Sequence, residues 1–190
     1  MIFFPIFTSN FNFLTLKFKI SSLLLVFVFV ANLATAQADA NKMAKIKIKG
    51  VYIYSFAKNV YWPAKYGSGD FIIGIYGDRD IYSQLSNSYT DKLVGSQKIK
   101  FKFYENIKDI KECHLLYVSE GKNNSISQLK QTLSNHTLLV SEGQNLAATG
   151  SIINFIYIQS RLKYQVNRTK AEKNDLKIGQ LLTKLAYSII

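Results

Sequence analysis

A single three-layer α/β domain, with helices on both faces of a largely parallel sheet, is the fold this sequence predicts. Three observations predict it. The stretches FIIGIY (71–76), CHLLYVS (113–119) and TLLVSEG (137–143) carry apolar side chains at both parities. A strand with no polar face must be covered above and below, which usually means helices on both sides of parallel strands. Each stretch then ends in polar residues, Gly77-Asp78, Ser119-Glu120 and Ser141-Glu142-Gly143. Helix-period segments fall between them, and GSIINFIYIQSRLKYQVN (150–167) reads as a C-terminal antiparallel hairpin turning at Gln159-Ser160.

Taken in order, the N-terminus reads as an export signal. Lys17 and Lys19 precede an apolar run from Ile20 to Ala31, followed by Ala34-Thr35-Ala36. A charged flank, an apolar core of about 7–15 residues and a small-x-small site describe a secretory signal peptide. Cleavage after Ala36 divides the chain into a leader, 1–36, and a domain, 37–190. The competing reading is an uncleaved anchor, although Asn32 interrupts the run well short of the roughly 20 apolar residues that span a bilayer. No Cys follows the apolar run, so a lipoprotein anchor does not fit. The leader predicts export from the cytoplasm.

Residues 42–63 alternate like a strand at Ile46-Lys47-Ile48, yet Met43, Ile46, Gly50, Ile53, Tyr54, Ala57, Val60 and Tyr61 recur at helical spacing. Length favours a helix stopped by Pro63, with close packing as the reason for Gly50. After the first buried strand, Asp78 can cap a helix over 79–89. KIKFKFY (98–104) alternates and reads as an edge strand, Ile99, Phe101 and Phe103 inward and three lysines in solvent. A helical turn is expected near 107–111 and a helix over 125–134. The final segment, 169–190, reads as one closing helix with Ile178, Leu181, Leu182, Leu185 and Ile189 as its apolar stripe.

Composition narrows the function. A 48% hydrophobic and 14% aromatic content describes a folded chain. One cysteine, Cys113, precludes an internal disulfide, and with only two histidines a structural zinc site does not fit. Removing 1–36 takes away Lys17 and Lys19 and no acid, leaving 22 basic and 12 acidic residues, a net +10. The lysines are scattered, and an exported protein rarely meets nucleic acid, so no nucleic-acid site is predicted. Cys113 and His114 are adjacent in a strand and point to opposite faces, so they cannot act as thiol and base together. The glycines form neither a phosphate loop nor a dinucleotide fingerprint, and the carboxylates are dispersed. Neither an enzyme nor a cofactor is predicted. Asn-x-Ser/Thr triplets begin at Asn123, Asn135 and Asn167, which a chain this rich in Asn and Ser supplies by chance.

What remains are the polar strand ends. If the three strands are parallel, Gly77, Asp78, Ser119, Glu120, Ser141, Glu142 and Gly143 converge at one sheet edge, where α/β folds hold ligands. Ordinary turn and cap chemistry accounts for the same residues.

The strings YSFAKNVYWP, FIIGIYGD, CHLLYVS and GSIINF with RLKYQVN, in this order and spacing, resemble the YfiR family of periplasmic proteins (DUF4154). The resemblance covers about Lys42 to Ala186. Its most specific piece is Tyr54, Phe56, Ala57, Lys58, Trp62 and Pro63, joined by Gly77-Asp78, Cys113-His114, Asn154, Phe155, Leu162, Asn167 and Leu181-Leu182. Departures are Tyr61 and Gln165, where Glu is common, and Thr149-Gly150, where a Gly pair is common. Members with paired cysteines are redox-sensitive; this chain lacks the pair. The resemblance implies a small α/β protein without catalytic machinery, often a homodimer. It implies the periplasm as destination and repression of an inner-membrane diguanylate cyclase through that enzyme's periplasmic sensory domain; a histidine kinase with a periplasmic domain is the other partner expected. The expected partner face is Arg161, Lys163, Gln165 and Asn167 with the start of the last helix. The alternative function is a periplasmic small-molecule binder using the polar strand ends.

Overall fold

A computed structural model describes residue 37 and residues 39–190; the leader expected over 1–36 lies outside the described residues. The chain divides into two compact units, Met1–Met43 and Ala44–Ile190. The described residues of the first are helical. The second opens with α1 (44–59), whose buried side chains Ile46, Ile53, Phe56 and Ala57 keep the predicted helical period. The strand reading of Ile46-Lys47-Ile48 loses to this longer pattern. At Gly50 a Cβ would lie 3.4 Å from Gln84 and 3.8 Å from Leu85, so the helix does pack closely there.

The chain continues through β1 (Val60–Tyr61), β2 (Phe71–Tyr76), α2 (Arg79–Tyr89), β3 (Leu93–Val94), β4 (Gln97–Tyr104) and β5 (Leu115–Val118). It closes with α3 (Ile126–Thr132), β6 (Leu138–Glu142), α4 (Leu146–Thr149), β7 (Ile153–Ile158), β8 (Arg161–Val166), α5 (Arg168–Lys173), β9 (Lys177–Ile178), α6 (Gln180–Leu185) and β10 (Ser188–Ile189). Eight strands form the main sheet in the order β10-β8-β7-β6-β5-β2-β4-β3. β2, β4, β5, β6 and β7 run parallel, and β7–β8 is the antiparallel hairpin. Its turn falls at Gln159 and Ser160, both at positive φ (48° and 62°), the backbone that a two-residue hairpin requires.

Alternation along the buried strands builds a core on each face. Phe71, Ile73, Ile75, Leu115, Tyr117, Leu138, Val140, Ile153 and Phe155 pack with α1 and α2. Tyr76, Leu116, Val118 and Leu139 pack with Ile126 and Leu129 of α3 on the other face. This is the three-layer fold that two-sided strands demand. β4 is one strand in from the edge, with Lys98, Lys100 and Lys102 exposed as its alternation predicts.

The C-terminal segment corrects the expectation of one helix over 169–190. α5 ends at Asn174-Asp175, where Asp175 takes φ 54° and Asn174 N–H bonds back into the helix. β9 then pairs antiparallel with β1, a two-stranded sheet absent from the sequence reading. Gly179 ties this clasp together: its N–H donates 2.7 Å to the Asn59 carbonyl. A Cβ there would lie 2.5 Å from that same oxygen, so the approach requires glycine. The supposed stripe is thus divided. Leu182 is buried, while Leu181, Leu185 and Ile189 stay about half exposed.

Candidate functional site

Parallel pairing of β2 with β5 and β5 with β6 brings the three polar strand ends to one carboxyl edge of the sheet. Ser119 N–H donates 3.0 Å to the Tyr76 carbonyl. Gly77, at φ 84°, lets the chain pass where a Cβ would meet the Lys122 side chain at 2.5 Å and Ser119 Oγ at 2.7 Å. Asp78 caps α2, accepting from Ile81 N–H at 3.0 Å. Asn123 Nδ2 donates 2.8 Å to the Glu142 carbonyl, seating the turn at Gly143. Ser119 is buried and Glu120 exposed.

Glu142 is the chemically distinctive member. It is 5% exposed, and its Oε2 receives Lys49 Nζ at 2.6 Å and the Tyr117 hydroxyl at 2.7 Å. Burial, and then the Glu142 charge, push the Tyr117 phenol well above its ordinary value, so it stays a donor. Tyr157, on the same face, is also raised, by burial foremost, against a lowering effect of Lys49. Neither Lys49 nor the tyrosines were singled out from sequence. Lys49 sits among lysines at 45, 47 and 49, and only the packing of α1 shows which one turns inward.

Ser141 points to the opposite face from Glu142, as neighbours on a strand must. Its Oγ lies 2.6 Å from Ser151 Oγ and donates 2.8 Å to Asn154 Oδ1. Asn154 Nδ2 donates to the Gly143 carbonyl at 2.8 Å and to Gln165 Oε1 at 3.3 Å. Gln165 Nε2 reaches Ser188 Oγ at 3.1 Å. A polar chain therefore crosses β6, β7, β8 and β10 beneath the sheet. Gln165 is occupied in it. Asn167 is buried, caps α5 by accepting from Lys170 N–H at 2.8 Å, and donates 2.8 Å to the Ala147 carbonyl. Of the expected partner face, Arg161 is exposed and Lys163 half-buried, so the structure does not gather those four side chains on one open surface.

Cys113 and His114 sit at the opposite edge and face opposite ways. Cys113 is 4% exposed, and burial pushes its thiol up to about 12, which leaves it without thiolate character. His114 stacks on Phe71, with ring centroids 4.4 Å apart. Its Nδ1 accepts from Ile72 N–H at 3.1 Å, so the proton sits on Nε2, 3.1 Å from the Tyr66 carbonyl. Burial lowers its pKa from the ordinary value. The folded state thus holds fewer protons here than the unfolded chain, and the stability contributed is present above about pH 6.5 and lost as pH falls below it. Thermal midpoints measured from pH 7.5 down to 5 should fall, and His114→Asn should flatten that decline; equal slopes for both proteins would refute the assignment.

Among the described residues no helix is long and apolar enough to cross a membrane. Comparison with known proteins finds a match to a family described as YfiR/HmsC-like (DUF4154) over residues 46–187. No curated protein matches the chain.

Proposed function

This chain belongs to the YfiR/HmsC-like family, and on that premise we propose that it binds the periplasmic sensory domain of an inner-membrane signalling protein and represses it. Membership points to periplasmic regulation of cyclic-di-GMP signalling; the proposal adds a diguanylate cyclase or histidine kinase as the partner, export through a cleaved leader, action as a homodimer and no catalysis by this chain. The observation that best supports a contact role is the C-terminal surface. Leu181, Leu185, Tyr187, Ile189 and Ile190 are each between 45% and 59% exposed. Apolar side chains gathered in one short segment suit a protein interface better than solvent. β10 lies parallel beside β8, Ser188 against Gln165 and Ile189 against Val166, so the apolar segment adjoins the end of β8. Binding would act by selecting the inactive state of the sensor, and a tenfold change in output needs only about 1.4 kcal/mol of differential binding.

Cross-linking the full-length protein in its native envelope tests this reading. Recovery of a membrane sensor with a periplasmic domain is expected, and Leu181→Asp/Leu185→Asp should lose it while folding normally, since both side chains are exposed. No sensor recovered, together with ligand-induced thermal stabilisation of the protein, would replace this reading by small-molecule binding at the strand ends.

A further inference from the structure

Away from the carboxyl edge, a cavity of about 280 Å³ opens between the end of α3 and the outer side of α5. Lys130, Lys170 and Lys173 line it, over a floor that includes Leu139 and Ile152, and no Asp or Glu is among its lining residues. A neighbouring cavity of about 190 Å³ shares Lys170 and Lys173, so the basic wall continues beyond the first opening. None of the three lysines is in an ion pair among the described residues. Lys130 Nζ has only the Thr149 carbonyl, at 3.4 Å. Asp175, just past the cavity wall, is turned to His136 Nδ1 at 3.7 Å.

Three lysines therefore line one cavity with no acidic residue in its wall, an arrangement whose like charges repel. Burial foremost, and after it the charges of Lys130 and Lys173, depresses the Lys170 pKa. Elsewhere in this chain buried or bridging lysines have found carboxylates, Lys49 with Glu142 and Lys100 with Asp70.

We propose that the cavity is an anion-binding site for a phosphomonoester group, with the lysines neutralising the dianion and the apolar floor accepting a short organic substituent. A single carboxylate would leave two of the three cations uncompensated, whereas a phosphate dianion presents three strong acceptor oxygens to three donors. The same chemistry is offered by a soluble phosphomonoester and by the headgroup of phosphatidic acid. This site is separate from the proposed partner surface and does not depend on it.

Calorimetric titration of the full-length protein with phenyl phosphate, alongside flotation with phosphatidylcholine vesicles with and without phosphatidic acid, tests the site. Saturable binding of either probe supports it, and which probe binds identifies the source. Lys170→Gln should weaken that binding at least tenfold and Lys130→Gln/Lys170→Gln/Lys173→Gln should abolish it, while substitution of the exposed Lys98 of β4, Lys98→Gln, leaves it unchanged. Without ligand, the triple variant should melt higher than the parent, because repulsion is relieved. Absence of saturable binding by both probes, undiminished binding by the triple variant, or a lower melting point of that variant would each overturn the proposal.

Discussion

Lys49→Met should destabilise the protein by about 3–5 kcal/mol, the usual effect of leaving one member of a buried ion pair uncompensated. For a chain of this size that corresponds to a drop in thermal midpoint of about 6–20 °C. The Lys49 and Glu142 side chains are only 13% and 7% exposed, so water cannot replace the lost partner. The Tyr117 hydroxyl stays at 2.7 Å, but one neutral donor does not balance a carboxylate. Lys49→Met/Glu142→Gln should recover much of the loss, since a neutral amide can still accept from Tyr117. The pair therefore shows a strongly negative coupling in a double-mutant cycle. Additive single effects, or a Lys49→Met midpoint within a degree or two of the parent, would show that Lys49 does not compensate the buried Glu142 charge.

Asn154→Ala should cost about 2–4 kcal/mol, because it strands several buried groups at once. The residue is 0% exposed, and its amide joins Ser141, the Gly143 carbonyl and Gln165. Denaturant unfolding measures the loss, and the size of the effect should exceed that of Gln165→Ala, a half-buried link further along the same chain. Asn154→Ala no worse than Gln165→Ala would mean that the network is not centred on Asn154. The position also explains a sequence observation in physical terms. Asn interrupts the apolar run INFIYI of β7 because its side chain links the polar side of the hairpin to the turn after β6.

The buried strands and the hairpin were legible because their signals are local. Two-sided apolar runs at β2, β5 and β6 leave no other placement than the middle of a covered sheet, and α2 begins at a capping Asp78 and keeps its period to Tyr89. The C-terminal segment was not legible, because its break depends on a contact distant in sequence. Gly179 approaches Asn59 across the fold, and nothing within residues 169–190 announces β1 as a partner. A leucine-rich stripe also looks the same whether it faces a core or, as Leu181 and Leu185 do, a surface left open.

The convergence of the strand ends followed from parallel order, but their chemistry did not. Ser141 and Glu142 are neighbours in sequence and lie on opposite faces, one in a polar network and one in an ion pair with a lysine from α1. Gln165 and Asn167 share the parity of Arg161 and Lys163 along β8, which made them look like one open face. Ser188 of the neighbouring strand β10 and the Ala147 carbonyl of α4 occupy the two amides instead. The basic cavity between α3 and α5 was equally hidden, since Lys130 is forty residues from Lys170 in a chain whose lysines are scattered throughout.

Cellular cyclic-di-GMP, measured in the source cells with the protein deleted and with it overproduced, tests the regulatory role most directly. Repression of a cyclase through its periplasmic domain predicts a several-fold rise on deletion and a fall on overproduction; with Leu181→Asp/Leu185→Asp in place of the native protein the pool should rise as on deletion, and overproducing the variant should not lower it. A cyclic-di-GMP pool that stays the same in all three strains would contradict it.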